Sequence, residues 1–271
     1  MTVRRRERRN VIAGSAGGCG GLLAALSLAT VLTALTGCSG TGAAAEGDAG
    51  EAVRRAVDLL AESGTSRART AMEMASGGTR ITLRGRGGFD YRERTGELRV
   101  TLPDGKPVTE VFVPGRLYMK NRGAGVPPDK WVRIDVTALP DGNLVTGGAT
   151  DPLAAAELLR GVVSADELGE ARVRGETLRH FRGVTDIAEA AEAASGRAAE
   201  QLAAAVEGFA ETEVPFDAYL DDQGLLREIT HRFSFGERGI DVTSTVQLFD
   251  FGAPVEVVLP GADDVYAGTV A

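Results

Sequence analysis

From Glu51 onward the hydrophobic positions of this chain follow two different rhythms. Val53, Val57 and Leu60 recur at helical spacing while Arg54, Arg55 and Asp58 take other positions, and Gly64 suits a left-handed cap, so a first amphipathic helix is predicted. The period then drops to two. Ile81 and Leu83 alternate with Arg80, Thr82 and Arg84, and Leu98, Val100 and Leu102 alternate with Glu97, Arg99 and Thr101, the pattern of antiparallel strands with one buried face. Arg94-Thr95-Gly96, Pro103-Asp104-Gly105-Lys106 and Pro114-Gly115 supply the turns. Leu117 to Lys120 and Trp131 to Val136 continue the series across a Gly/Pro-rich loop.

Asp151-Pro152 announces a second helix, an N-cap followed by proline at the first helical position, with Leu153, Leu158 and Leu159 as its apolar side and a stop near Gly161. Strands are expected again at Glu170 to Arg174 and Thr177 to Asp186, and an alanine-rich helical stretch from Ile187 to Phe209 is open to a break at Gly196. The clearest β signal closes the chain: Val214 to Leu220, Leu225 to Phe235 and Ile240 to Asp250, joined by tight polar turns. Leu225, Ile229, Phe233 and Phe235 share one face, as do Ile240, Val242, Val246 and Leu248. A long meander with one apolar face needs helices to cover it, which makes residues 51–271 a single α+β domain.

Upstream of that domain the pattern is of another kind. Arg4, Arg5, Arg6, Arg8 and Arg9 precede a 14-residue apolar core, Leu22 to Leu35, and Leu35-Thr36-Gly37-Cys38 resembles the bacterial lipobox. A membrane-spanning helix needs about 20 residues, so the core reads as a cleaved leader rather than a retained anchor. The expectation is a signal peptide over 1–37, a palmitate-type lipid on Cys38, and a flexible tether over 38–50. Arg8-Arg9-Asn10-Val11-Ile12 is too weak a motif to choose between general and twin-arginine export. The only other cysteine, Cys19, lies inside the leader, so the mature chain can form neither a disulfide framework nor a cysteine metal site.

The precursor's net charge is −8, and its first 37 residues hold five arginines and one glutamate, which leaves 25 basic against 37 acidic residues in the remainder. Such acidity argues against nucleic-acid binding and favours solubility beside a membrane. No nucleophile elbow, metalloprotease motif, phosphate-binding loop or dinucleotide fingerprint is present. His180 and His231 lack partners at metal-ligand spacing and read as ordinary strand residues; Asp221-Asp222 and Asp263-Asp264 fit turn and tail chemistry. No catalytic residue, metal or cofactor is called for, and the chain is not expected to be an enzyme.

The lipobox, the leading helix, the meander, Lys130-Trp131-Val132-Arg133-Ile134-Asp135, Asp151-Pro152-Leu153, the run Val214 to Leu225 and the closing Val257 to Val265 together resemble the actinobacterial LppX/LprG/LprA/LprF lipoprotein family. The resemblance implies a strongly curved antiparallel half-barrel whose concave apolar face, roofed by helices, holds acyl chains, as in the LolA and LolB carriers. On that reading Leu225, Ile229, Phe233, Val242, Val246, Leu248, Ile81, Leu83, Leu117 and Met119 are the expected cavity lining, although residues two apart on a strand face are by themselves as well explained as core. The implied function is that of a monomeric envelope lipoprotein, anchored outside the cytoplasm, that binds or carries a lipid or glycolipid. The alternative is a protein-interaction or sensory lipoprotein on the same scaffold, with an envelope protein as partner.

Overall fold

In the computed structural model, α1 runs from Thr41 to Glu62, starting twelve residues before Val53, the first periodic apolar position. The structure describes residues 41–267, except 104–105, 124, 146–149 and 236–239 and the side chains of 41–46, Ser76 and Phe235. By its internal contacts the chain divides into Met1–Cys38 and Ser39–Ala271, and only the second unit is described below. The leader and Cys38 lie outside the described residues. The stretch expected to be a tether is thus helical from Thr41 on, and Ala49 is already buried at 3% exposure. Glycines at 42, 47 and 50 suggested a coil, but the intervening alanines favour helix and the buried face anchors the whole segment.

Eleven strands follow in a single sheet. The first six are β1 (Thr65–Ser76), β2 (Thr79–Asp90), β3 (Thr95–Thr101), β4 (Val108–Val113), β5 (Arg116–Lys120) and β6 (Trp131–Asp135), each paired antiparallel with the next. After α2 (Pro152–Glu157) come β7 (Val162–Val173) and β8 (Glu176–Asp186), then α3 (Ile187–Ala193), α4 (Gly196–Val206), β9 (Glu213–Leu220), β10 (Leu226–Phe235) and β11 (Ile240–Phe249). The order across the sheet is β6-β5-β4-β3-β2-β1-β11-β10-β9-β8-β7. The first meander therefore runs outward from β1, the second runs inward from β7, and the two join where β1 pairs with β11. β6 and β7 stay unpaired with each other, and the result is an α+β half-barrel of antiparallel strands, open along one side.

Apart from the start of α1, the helices lie near their sequence signals. Val53, Ala56, Val57 and Leu60 of α1 are at most 1% exposed, each large side chain worth about 1.5–3 kcal/mol of burial. Asp151 caps α2 by accepting the Leu153 N–H at 2.9 Å, with Pro152 at the first position. Asp186 caps α3 through the Ala188 and Glu189 N–H groups at 2.7 and 3.0 Å. The alanine-rich stretch breaks at Ala194-Ser195, and Gly196 opens α4 with φ of +58°. Ion pairs bind these parts together: Glu157 accepts from Arg160 at 2.6 Å and Arg94 at 3.3 Å, while Arg160 also reaches Asp58 at 2.9 Å.

The sheet's two edges are closed by different means. Along β6, Trp131 bridges to Val265 of the C-terminal tail, the Tyr266 N–H donates to the Trp131 carbonyl, and Lys130 Nζ donates to the Asp263 carbonyl. β7 instead exposes Asp166 and Glu170, charges that discourage strand addition, beside the exposed Val163 and Leu168.

Leu60→Ala should lower stability by about 2–5 kcal/mol in denaturant unfolding. The neighbouring Leu59, 37% exposed, should tolerate the same change within about 0.5 kcal/mol.

Candidate functional site

The candidate site is the helix-covered face of the sheet, built from alternate residues of seven strands. Registers place them in rows: Ile229, Val246, Thr70 and Val100; His231, Ser244, Met72 and Leu83; Leu248, Ala68, Leu98, Glu110 and Met119. β2 contributes Gly85 and Gly87 to these rows, and at Gly87 a Cβ would stand 1.7 Å from the Glu97 carbonyl oxygen, so only glycine admits β3 this closely.

Eight of the ten residues expected to line this face are buried on it: Ile229, Phe233, Val242, Val246, Leu248, Leu83, Leu117 and Met119, none above 5% exposure. Ile81 is not. It is 41% exposed near the β1–β2 turn, opposite the partly buried Met74, because the cover ends before that end of the sheet. Leu225 is also displaced: its N–H donates to Asp221 Oδ1 at 2.9 Å, closing the turn, and Leu226 takes the fully buried place ahead of a bulge at Arg227. The extra residue of the bulge is what a strict count of two could not register. Phe235 keeps its place in β10, but its side chain is outside the described residues.

Among the described residues the cover consists of α2, α3, α4 and the stretch Asp141 to Val145, with Thr150. Asp141 closes the loop by accepting the Asn143 and Val145 N–H groups at 3.1 and 2.7 Å, and Gln201 of α4 donates to the Gly142 carbonyl at 2.7 Å. Thr150 Oγ1 then latches the loop onto β11 through Ser244 Oγ at 2.6 Å. Phe209, just past α4, lies 5.4 Å from the ring of Phe233. In this arrangement the face is filled: Met72, Leu98, Leu117, Met119, Leu144 and Leu202 are all below 2% or at 2% exposure. A cleft of about 30 Å³ between α2, α4 and the β4–β5 turn, bordered by Arg94, Asp151, Arg197 and Leu202, has room for water and not for an acyl chain.

Two ionisable groups are enclosed here, Glu110, which the sequence reading did not single out, and His231, which it read as an ordinary strand residue. Glu110 is fully buried between Leu98 and Met119, and neither carboxyl oxygen has a partner. Burial raises its pKa to about 8, against a small opposing pull from Arg122. His231 Nε2 is likewise buried without a partner, and burial, with Arg232 adding, pushes the ring down to about 3. Both stand at inward positions of their strands, Glu110 between Val108 and Phe112 and His231 between Ile229 and Phe233. That parity was the available signal. His180 lies elsewhere, donating to Asp217 Oδ1 at 2.7 Å beside Arg182 and Arg232 and stacking on Tyr219. Among the described residues no three His, Cys, Asp or Glu side chains gather as a metal site.

Solved structures similar to this chain include the following three. LprF from Mycobacterium bovis matches with a TM-score of 0.41 at 11% identity over 80% of this chain and 98% of that one. The lipoprotein LppX from Mycobacterium tuberculosis gives 0.44 at 13% over 77% and 99%. A LolA superfamily protein from Nitrosomonas europaea gives 0.36 at 10% over 78% and 94%. No protein-family model matches the chain, and no curated protein matches it in sequence.

The two buried groups give opposite pH dependences. Glu110 holds its proton more tightly when folded, so its favourable contribution is complete below about 4.5 and is lost as the pH rises towards 8. His231 resists protonation when folded, so stability falls as the pH drops from 6.5 towards 3. Glu110→Met should therefore stabilise the protein at pH 8, by about 1–3 kcal/mol, and flatten the decline above pH 5 in thermal unfolding. An unchanged alkaline slope would place the titration elsewhere.

Proposed function

We propose that this chain is an envelope lipoprotein, held at the membrane through Cys38, that takes up lipid acyl chains between the concave sheet and its helical cover. The observation that carries the reading is the composition of that cover. Ala154, Ala155 and Ala156 of α2, Ala190 of α3 and Ala198 and Ala205 of α4 are buried, and these helices are only 6, 7 and 11 residues long. Helices so short do not hold themselves together in water and depend on what they touch. Their alanines bury far less apolar area than the leucines, methionines and phenylalanines of the sheet below, and Leu153, Ile187, Leu202 and Leu144 supply the larger contacts that an entering chain would have to replace. An inserted chain replaces those contacts at about 0.8 kcal/mol per methylene, so moving the cover costs less than a long acyl chain returns. The partly buried Met74 and exposed Ile81 mark the apolar end through which the chain enters.

The filled face favours a second reading, a protein-interaction or sensory lipoprotein in which the same surface is permanent core. Mass spectrometry of an organic extract of protein purified from its own host separates the two. A co-purifying lipid is expected. Val242→Lys should stay folded and lose that lipid, because Val242 lies in the row Phe233, Val242, Met74, Ile81 that runs to the open end and lets a lysine reach water. Ile229→Lys, at 0% exposure and farther from that end, should unfold. No lipid in the wild type, or a lipid unaffected by Val242→Lys, would leave the interaction reading.

The anchor is tested separately. Cys38→Ala should release the protein from membranes or leave an uncleaved precursor, read by fractionation and intact mass. An unchanged mass and membrane fraction would refute lipidation at this residue.

A further inference from the structure

The opposite face of the sheet carries charge that the acyl reading does not use. Some cations of that face have carboxylate partners, Arg182 and Arg232 on Asp217, Arg80 on Glu73 and Arg227 on Glu176 at 2.7 Å. In the middle of β1, β2 and β3 the cations instead face one another. Arg69 stands directly opposite Arg86, and Arg86 directly opposite Arg99, with Arg84 two residues along β2 on the same face. Among the described residues none of these four makes an ion pair. Like charges facing each other across a ladder are destabilising, and here three occur in one row of a chain whose net charge is −8.

The row is also shaped. The β7–β8 turn brings Arg174, at φ of +51°, over a groove of about 240 Å³ whose other walls include Arg69, Arg84, Arg86, Thr245 and Gln247. A second groove of about 250 Å³ adjoins it, sharing Arg69, Arg174 and Gln247 and adding Arg227 and Glu228. The Arg69 guanidinium is held 4.0 Å over the Phe249 ring, which fixes its plane and leaves N–H groups at its edge for a ligand. Gln247 donates through Nε2 to Glu228 at 2.7 Å, so its Oε1 is oriented by that bond, and that oxygen is buried without a donor.

Guanidinium forks match phosphate oxygens in pairs, and an orphaned amide oxygen calls for a hydroxyl. We propose that this groove binds a phosphorylated polyol, its phosphates on Arg69, Arg84, Arg86 and Arg174 and a hydroxyl on Gln247. Such a group exists both as a soluble sugar phosphate and as the headgroup of a phosphoinositide lipid. Because the site lies on the face away from the helices, its occupancy is independent of the acyl cargo proposed above.

The test uses the full chain at low ionic strength with two probes. Fructose 1,6-bisphosphate is titrated calorimetrically, and vesicles of phosphatidylcholine with and without phosphatidylinositol 4-phosphate are tested by flotation. Binding to the bisphosphate identifies a soluble ligand, and added flotation with the phosphoinositide identifies a headgroup; either supports the site. Arg84→Gln and Arg86→Gln should each weaken binding about tenfold without lowering the melting temperature, since repulsion is relieved. Arg133→Gln, exposed on β6 outside the groove, should leave binding intact. Absence of binding to both probes, or equal binding by the Arg84→Gln/Arg86→Gln double variant, would overturn the proposal. Inorganic pyrophosphate binding as tightly as the bisphosphate would overturn the assignment of a polyol.

Discussion

Everything in this fold depends on one non-sequential ladder, the antiparallel pairing of Arg67–Ala75 with Phe249–Asp241. Every other strand contact in the sheet joins neighbours in sequence and needs only a turn or a short excursion. The β1–β11 pair is the contact that makes two meanders into one surface, and it sets Met72 beside Ser244 and Thr70 beside Val246 at the middle of the concave face. Closing so long a loop is entropically modest, because the cost grows only with the logarithm of its length. The cost is kinetic: a sheet completed by its two ends is slow to assemble and exposes strand edges until it closes.

What lies above that surface is of a different character. α1 is long, packs leucine and valine, and is tied by Arg54 to the Val162 carbonyl at 2.5 Å. α2, α3 and α4 are short and alanine-rich, and the loop between β6 and α2 is fastened through a pair of hydroxyls, Thr150 and Ser244. A rigid member and a weakly held one thus share a single apolar floor. Glu110 and His231 lie in that floor, both held neutral near pH 7 and both costing stability that a purely apolar face would not.

Much of the architecture could be read in advance because its signals are local. The cap at Asp151-Pro152, the three closing strands and the alternation around Leu98 and Leu117 each follow from residues a few positions apart. Four features escaped for identifiable reasons. The start of α1 at Thr41 is decided by burial of Ala49 rather than by the glycines around it. Leu225 lost its place to Leu226 through a bulge, which shifts parity without leaving a compositional mark. Ile81 obeys the alternation but lies where the cover ends, and cover is a property of the assembled fold. The row of Arg69, Arg86 and Arg99 is invisible until registers are known, since each arginine alone is an unremarkable outward strand residue.

The treatment of the two sheet edges bears on how copies behave together. A chain tethered to a membrane diffuses in two dimensions, where neighbours meet at high local concentration and with restricted orientation. An open half-barrel in that setting is exposed to edge-to-edge growth, strand upon strand, into a continuous sheet. The chain's own tail occupies one edge at Trp131 through hydrogen bonds, and Asp166 and Glu170 place charge along the other. If the chain is anchored as proposed, crowding would raise its density without turning an open sheet into a polymer.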